Sequence, residues 1–173
     1  ASLDVADAAA VRALFGAGAA AQPPLRGIVH AAGVLDDGVV ERQDWARFET
    51  VLRPKLLGAM NLAAATAGLE LDFFVLFSAG AAWLGAPGQS NYAAANASLD
   101  ALAQSLRSQG RAATAIAWGR WAGPGMAAAR GGASWAAQGV AELVPADGIA
   151  AMFELIDRQA ASVAVLPLDW PTY

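Results

Sequence analysis

A tyrosine is a weak acid, with a side-chain pKa near 10. It becomes a useful proton donor only where a neighbouring cation favours its phenolate. Tyr92 is one of two tyrosines in the chain, and Asn96 follows it by four residues, on the same face of a helix. Lys55 is the only lysine, against ten arginines. A chain that uses arginine almost everywhere thus keeps an ammonium at one position. A guanidinium is larger, planar and differently hydrated, so it does not freely replace that ammonium. A tyrosine, lysine and asparagine brought together would suit proton donation to an oxygen that is gaining negative charge. Each residue also has a plain alternative. Tyrosine at a helix start packs as an amphipathic side chain, a helix lysine is usually solvated, and an asparagine often makes only local hydrogen bonds.

The totals narrow the field. At 173 residues the chain fits one domain or a large part of one, long enough to bury a core. It is 57% hydrophobic and 15% charged, and alanine supplies much of the excess over an average soluble domain. The net charge of -4 and the scattered arginines argue against nucleic acid, since phosphate binding needs clustered cations. With no cysteine, disulfides and thiolate metal sites are excluded. A single histidine, His30, leaves little scope for a metal, and no metal is expected. The lack of cysteine is compatible with the cytoplasm, the expected location. No charge stands between Phe73 and Leu99, a length that could span a bilayer. Gly80, Gly85, Pro87 and Gly88 break that run where a spanning helix must continue. A buried strand, a loop and a helix are expected instead, with no membrane span. The opening residues carry two aspartates and no basic start, so no signal peptide is expected.

The elements that would position these residues follow from periodicity. Short apolar runs at 27–32, 73–78, 112–118 and 162–166 read as buried strands. Helical spacing predicts helices over 8–15, 41–67, 89–108 and 145–158. Trp45, Phe48, Leu52, Leu56, Met60 and Leu62 carry the second of these. Leu99, Leu102 and Leu106 form a stripe on the third, and Pro145 suits the first turn of the last. Residues 3–5 read as the tail of a further strand. Alternating strands and helices, with strands apolar on both faces, predict an α/β fold with a parallel sheet covered by helices. Ligands in such sheets bind beyond the carboxyl ends of the strands. The loops after residues 32, 78 and 118 are therefore where chemistry is expected.

One expected signature is missing. A dinucleotide fold opens with a strand, a glycine-rich turn and a helix that receives the pyrophosphate. Gly16 and Gly18 follow a helix and are the wrong candidates. Either the fold is of another kind, or its first part lies outside this sequence.

The run LFSAGAAWLGAPGQSNYAAANASLDALA (76–103) is similar to the active-site segment of ketoreductase domains from modular type I polyketide synthases, within the short-chain dehydrogenase/reductase superfamily. PPLRGIVHAAGVLDDG (23–38), RPKLLGAMNL (53–62) and AIAWGRWAGPGMA (115–127) agree in order and spacing, as does the LPLDW ending (166–170). The resemblance covers nearly the whole chain and implies a Rossmann-like C-terminal portion of one ketoreductase domain. It implies NADPH as cofactor and a β-ketoacyl chain on the phosphopantetheine of an acyl carrier protein as substrate. Its partners would be neighbouring synthase domains and the N-terminal part of the ketoreductase. Most of the superfamily places tyrosine and lysine on one helix as YxxxK. These ketoreductases carry asparagine at that lysine position and take their lysine from the preceding helix, which implies catalytic roles for Tyr92, Lys55 and Asn96.

The resemblance assigns further positions. Asp4 and Val5 correspond to the adenine contact, Ala31, Ala32 and Gly33 to the loop under the cofactor, and Trp118 and Gly119 to the nicotinamide border. Tyr92 and Lys55 would also touch the cofactor. Met126 falls in the region of a mobile lid. Leu35, Asp36 and Asp37 form the LDD motif of B-type domains, which implies a D-configured 3-hydroxyl. Without the family, two aspartates in a turn could be a solvated cap. A-type domains carry tryptophan eight residues before the tyrosine. Leu84 stands there, with Trp83 one residue out of register and expected to pack in the loop. Gln89 fits the general pattern. There is one departure. The family's catalytic serine stands thirteen residues before the tyrosine, where this chain has Ala79. Loss of such a donor costs about a hundred- to a thousandfold in rate. Impaired reduction, or a purely architectural domain, is the alternative expectation, with Ser78 or water as partial substitutes.

Overall fold

Apolar residues on both faces of each strand call for helices on both faces of a sheet. The computed structural model, which describes residues 2–16, 23–123, 137 and 139–173, has that arrangement. Strands β1 (Gly27–His30), β2 (Phe73–Ala79), β3 (Ala113–Trp118) and β4 (Ser162–Val165) pair in the order β1-β2-β3-β4. All the pairings are parallel, with Ala79 opposite Trp118 and Trp118 opposite Val165. The carboxyl ends of β2, β3 and β4 thus line up along one edge.

Side-chain alternation along β2 and β3 splits the core into two layers. Phe74, Leu76, Ala113 and Ala115 face one way, against Val11 of helix α1 (Ala8–Gly16), Ala59, Leu62 and Ala63 of a second helix, and Leu99, Ala103 and Leu106 of a third. Val75, Ile116 and Trp118 face the other way, against Leu143 and the helix Pro145–Asp157. Leu99 and Leu76 are wholly buried, and burial of such a side chain contributes about 1.5–3 kcal/mol.

The helix expected over 41–67 is broken into pieces. A 3-10 turn spans Val40–Arg42, then Asp44 caps α2 (Trp45–Leu52) by accepting a bond from the Arg47 amide at 3.0 Å. Arg53–Leu57 forms a π-turn, and α3 (Gly58–Ala65) continues beyond it. Pro54 explains the change, because it has no N–H to give Thr50 and its ring crowds the preceding turn. The Gly58 amide reaches back five residues to the Arg53 carbonyl. Trp45 and Met60, placed on the apolar stripe by spacing, are exposed.

The strand expected at 3–5 is a turn. Asp4 accepts the Ala6 amide on its carboxylate at 2.9 Å and the Asp7 amide on its carbonyl at 3.0 Å, which bends the chain away from any extended path. Among the described residues no helix is long and apolar enough to cross a membrane. A short helix α4 (Ala81–Leu84) and the long α5 (Ser90–Ser108) follow β2, and α6 (Pro145–Asp157) follows β3.

Candidate active site

The site is built where β2 and β3 end. Ala79, Trp118 and Gly119 line a cavity of about 170 Å³ together with Leu35, Leu84, Gln89 and Tyr92. Its walls are mainly apolar.

Tyr92 sits in the first turn of α5, at the cavity wall. Lys55 reaches it from the π-turn: its ammonium lies 5.2 Å from the centroid of the Tyr92 ring. Lys55 is 3% exposed, and its Nζ donates to the Phe77 carbonyl at 3.0 Å. Burial lowers its pKa to about 8, while the Asp100 carboxylate pulls the other way. Burial pushes the Tyr92 phenol up, opposed by an Asn96 side-chain contact. Asn96 is fully buried on the next turn. Its amide donates to the Tyr92 carbonyl at 2.7 Å, and its Oδ1 has no partner.

The π-turn that carries Lys55 is itself held. His30 closes β1, is 3% exposed, and its Nε2 lies 2.9 Å from the Lys55 carbonyl. A carbonyl can only accept, so that nitrogen carries the proton. Burial lowers the His30 pKa and favours the neutral ring. Gly33 lies beside the lysine stem. A Cβ there would stand 3.1 Å from the Lys55 Cε, so a side chain at this position would make the lysine stem give by a few tenths of an ångström.

Ala79 lines the cavity but Ser78 does not. Alternation turns Ser78 toward α5, where its Oγ donates to the Asn96 carbonyl at 3.2 Å. It also lies within bonding reach of Asp100, whose pKa is raised by burial and lowered again by Ser78, Trp83 and the charge of Lys55. The Ser78 hydroxyl is therefore committed to α5, away from the position expected of a substrate donor.

Other expected positions separate. Leu35, Leu84, Gln89, Trp118 and Gly119 join Tyr92 at the cavity. Asp36 and Asp37 turn to protein partners: Asp36 pairs with Arg47 at 3.2 Å, and Asp37 accepts from Gln89 at 3.3 Å. Asp4 and Val5 do not line the cavity. Val5 instead packs at Gly58, and its carbonyl accepts from Asn61 at 3.0 Å. Ala31 and Ala32 belong to the segment between β1 and Gly33. Met126 lies outside the described residues. Trp83 is not packed away as expected. It is 55% exposed, with its indole N–H tied to Asp100 at 3.1 Å.

Asp100, Arg47 and Asn91 were not foreseen as part of the site. Asp100 carries a visible signal, since Tyr92, Asn96 and Asp100 repeat at four-residue spacing along one helix face. The small residues Ala79 and Gly119 leave room along the cavity for the reactive end of a flat cofactor. No GxGxxG-type turn ahead of a helix, the feature that would cradle its phosphates, occurs among the described residues.

Comparison with known proteins identifies the chain's relatives. A family described as KR domain matches residues 1–123. The phenolphthiocerol synthesis polyketide synthase type I Pks15/1 of Mycobacterium bovis is 45% identical over 172 residues, which is 97% of this chain and 8% of that protein. The spectinabilin polyketide synthase system protein NorB of Streptomyces orinoci is 51% identical over 151 residues, or 85% of this chain and 7% of its own length. Among solved structures, an A-type ketoreductase from a modular polyketide synthase superposes with a TM-score of 0.92 at 39% identity, covering 99% of this chain and 36% of that one. PlmKR1, from the first module of phoslactomycin biosynthesis in a Streptomyces species, gives a TM-score of 0.92 at 37% identity, over 99% of this chain and 40% of its own. The chain thus spans less than a tenth of these curated relatives and under half of the solved chains. On the family match, the sequence identity and the superposed parallel sheet together, this chain belongs to the ketoreductase domains of modular polyketide synthases, with the short-chain dehydrogenase/reductase fold.

Proposed function

We propose that this chain supplies the proton-donating half of a reductase acting on a β-ketoacyl group carried by an acyl carrier protein. The observation that carries this reading is the buried Lys55 ammonium facing the Tyr92 ring beside an apolar cavity. The cofactor is NADPH on this reading, and when bound it supplies the hydride. As charge grew on the carbonyl oxygen, Tyr92 Oη would give it a proton, and the 3-hydroxyacyl chain would result. Lys55 stabilises the phenolate left behind. Leu35, Leu84 and Trp118 give the site an apolar lining on this reading.

The test is NADPH consumption on a β-ketoacyl thioester by the polypeptide that carries this chain. Tyr92→Phe should lower turnover at least a hundredfold, the range expected of a lost general acid. A variant as fast as the parent would end this reading.

A second reading is favoured by one observation: Ala79 faces the cavity, while the neighbouring hydroxyl is bonded to Asn96. We infer that reduction is impaired for want of a donor to the substrate carbonyl. Ala79→Ser should then raise the rate by about a hundred- to a thousandfold. A parent rate already normal for such enzymes, rising little in the variant, would count against impairment. The LDD motif supports formation of the D-configured alcohol, which chiral chromatography of the product checks.

A further inference from the structure

Leu35, Asp36 and Asp37 share one loop, yet only Leu35 lines the cavity. The rest of the loop is bound to two other elements. Arg47 of α2 holds it with one nitrogen: its Nη1 stands 3.2 Å from the Asp36 carboxylate and donates to the Asp37 carbonyl at 2.8 Å. Asn91 holds it from the other side. This side chain is wholly buried, and its Nδ2 donates to the Asp36 carbonyl at 2.6 Å and to the Arg47 carbonyl at 3.4 Å. Its Oδ1 accepts the backbone N–H of Tyr92 at 2.8 Å. These partners fix the amide's orientation, since carbonyls need a donor and an N–H needs an acceptor. One buried side chain therefore joins the loop, α2 and the residue that bears the phenol.

We propose that Arg47 and Asn91 form a clamp that fixes Leu35 relative to Tyr92 and so decides which face of a bound ketone meets the hydride. The inference rests on the ketoreductase reading above. The two faces of a ketone are chemically alike, so their discrimination depends wholly on how the substrate is seated. A tenfold preference is only about 1.4 kcal/mol, and a misplacement of about 1 Å can cost a hundredfold in a positioned reaction. A loop freed from its clamp would lose that preference before it lost the chemistry. Arg47 and Asn91 are positioning residues here, because neither lines the cavity.

The experiment reads the ratio of the two 3-hydroxy products by chiral chromatography. It uses the polypeptide that carries this chain, with Ala79→Ser added where the parent rate is too low. Because the ratio is measured only on product, it is insensitive to how much enzyme has folded. Arg47→Gln removes the cation, and Asn91→Asp keeps the shape but removes both donated bonds. Each should shift the ratio toward parity at least fivefold. Arg158→Gln, a surface arginine on the far side of β3 whose ion pair is with Glu154, should leave it unchanged. A shift below fivefold in either clamp variant overturns the clamp while the reductase reading stands. An unbiased parent also overturns the clamp, and with it the stereochemical expectation. No alcohol from either the parent or the Ala79→Ser enzyme overturns the reductase reading itself, and the clamp with it.

Discussion

Lys55 shows how much one residue's surroundings matter. Its pKa of about 8 means that the ammonium begins to lose its proton just above neutrality. Proton donation by Tyr92 benefits from the charged form, so turnover should fall as pH rises through about 8. A pH–rate profile that stays flat to pH 10 would show that the lysine charge does not matter. The groups that face this ammonium are Tyr92 and Asp100 on α5 and His30 on β1. Lys55 was legible in the sequence because a lone lysine among arginines stands out. Asn91 and Asp100 were not, since asparagine and aspartate are common on helices. Their meaning comes only from the partners that the fold brings to them. Ala79 could be read as a departure, but the fate of Ser78 could not. It depended on which face of β2 each residue occupies.

At the scale of elements, the important device is the π-turn. Spacing alone predicted one unbroken helix, because hydrophobic periodicity registers a five-residue change of pitch only weakly. Pro54 was the available cue, and the His30 bond to Lys55 was invisible without the sheet. His30→Leu removes that bond and leaves the Lys55 carbonyl with the Gly58 amide as donor. Loss of one buried hydrogen bond costs about 0.5–1.5 kcal/mol, which chemical denaturation of the variant should register. A loss under about 0.5 kcal/mol would mean that water or a shift of the turn replaces the histidine. The strands and α5 were legible to within one residue, except at the end of β1, which stops two residues short of expectation. Their apolar runs are bounded by glycine, proline or charge. Trp83 departs from the expected loop packing because its indole N–H finds Asp100 on α5 while its ring stays largely in solvent.

For the whole molecule, the same lysine is a cost. An unfolded lysine titrates near 10.5 and the folded one near 8, so between these values the unfolded chain binds more protons. Stability from this group therefore rises with pH across that window. At about 1.4 kcal/mol per pKa unit, the charged lysine costs the fold on the order of 3 kcal/mol at pH 7. Lys55→Met should be more stable than the parent at pH 7, and the gap should close toward pH 10. Urea titrations of both proteins at the two pH values check this. A gap that widened with pH would reverse the sign. The sheet and its covering helices were legible from composition and alternation. The balance between this buried charge and the core was not, because it is a property of packing. The route by which Lys55 reaches Tyr92 has one more consequence. The two stand thirty-seven residues apart in sequence, on segments joined through a strand crossing. A tyrosine and lysine on one helix could meet in a lone peptide, but these two meet only after β1, β2 and α5 have assembled. Reactivity therefore waits on that assembly, and molecules in which β1, β2 and α5 have not come together stay chemically silent.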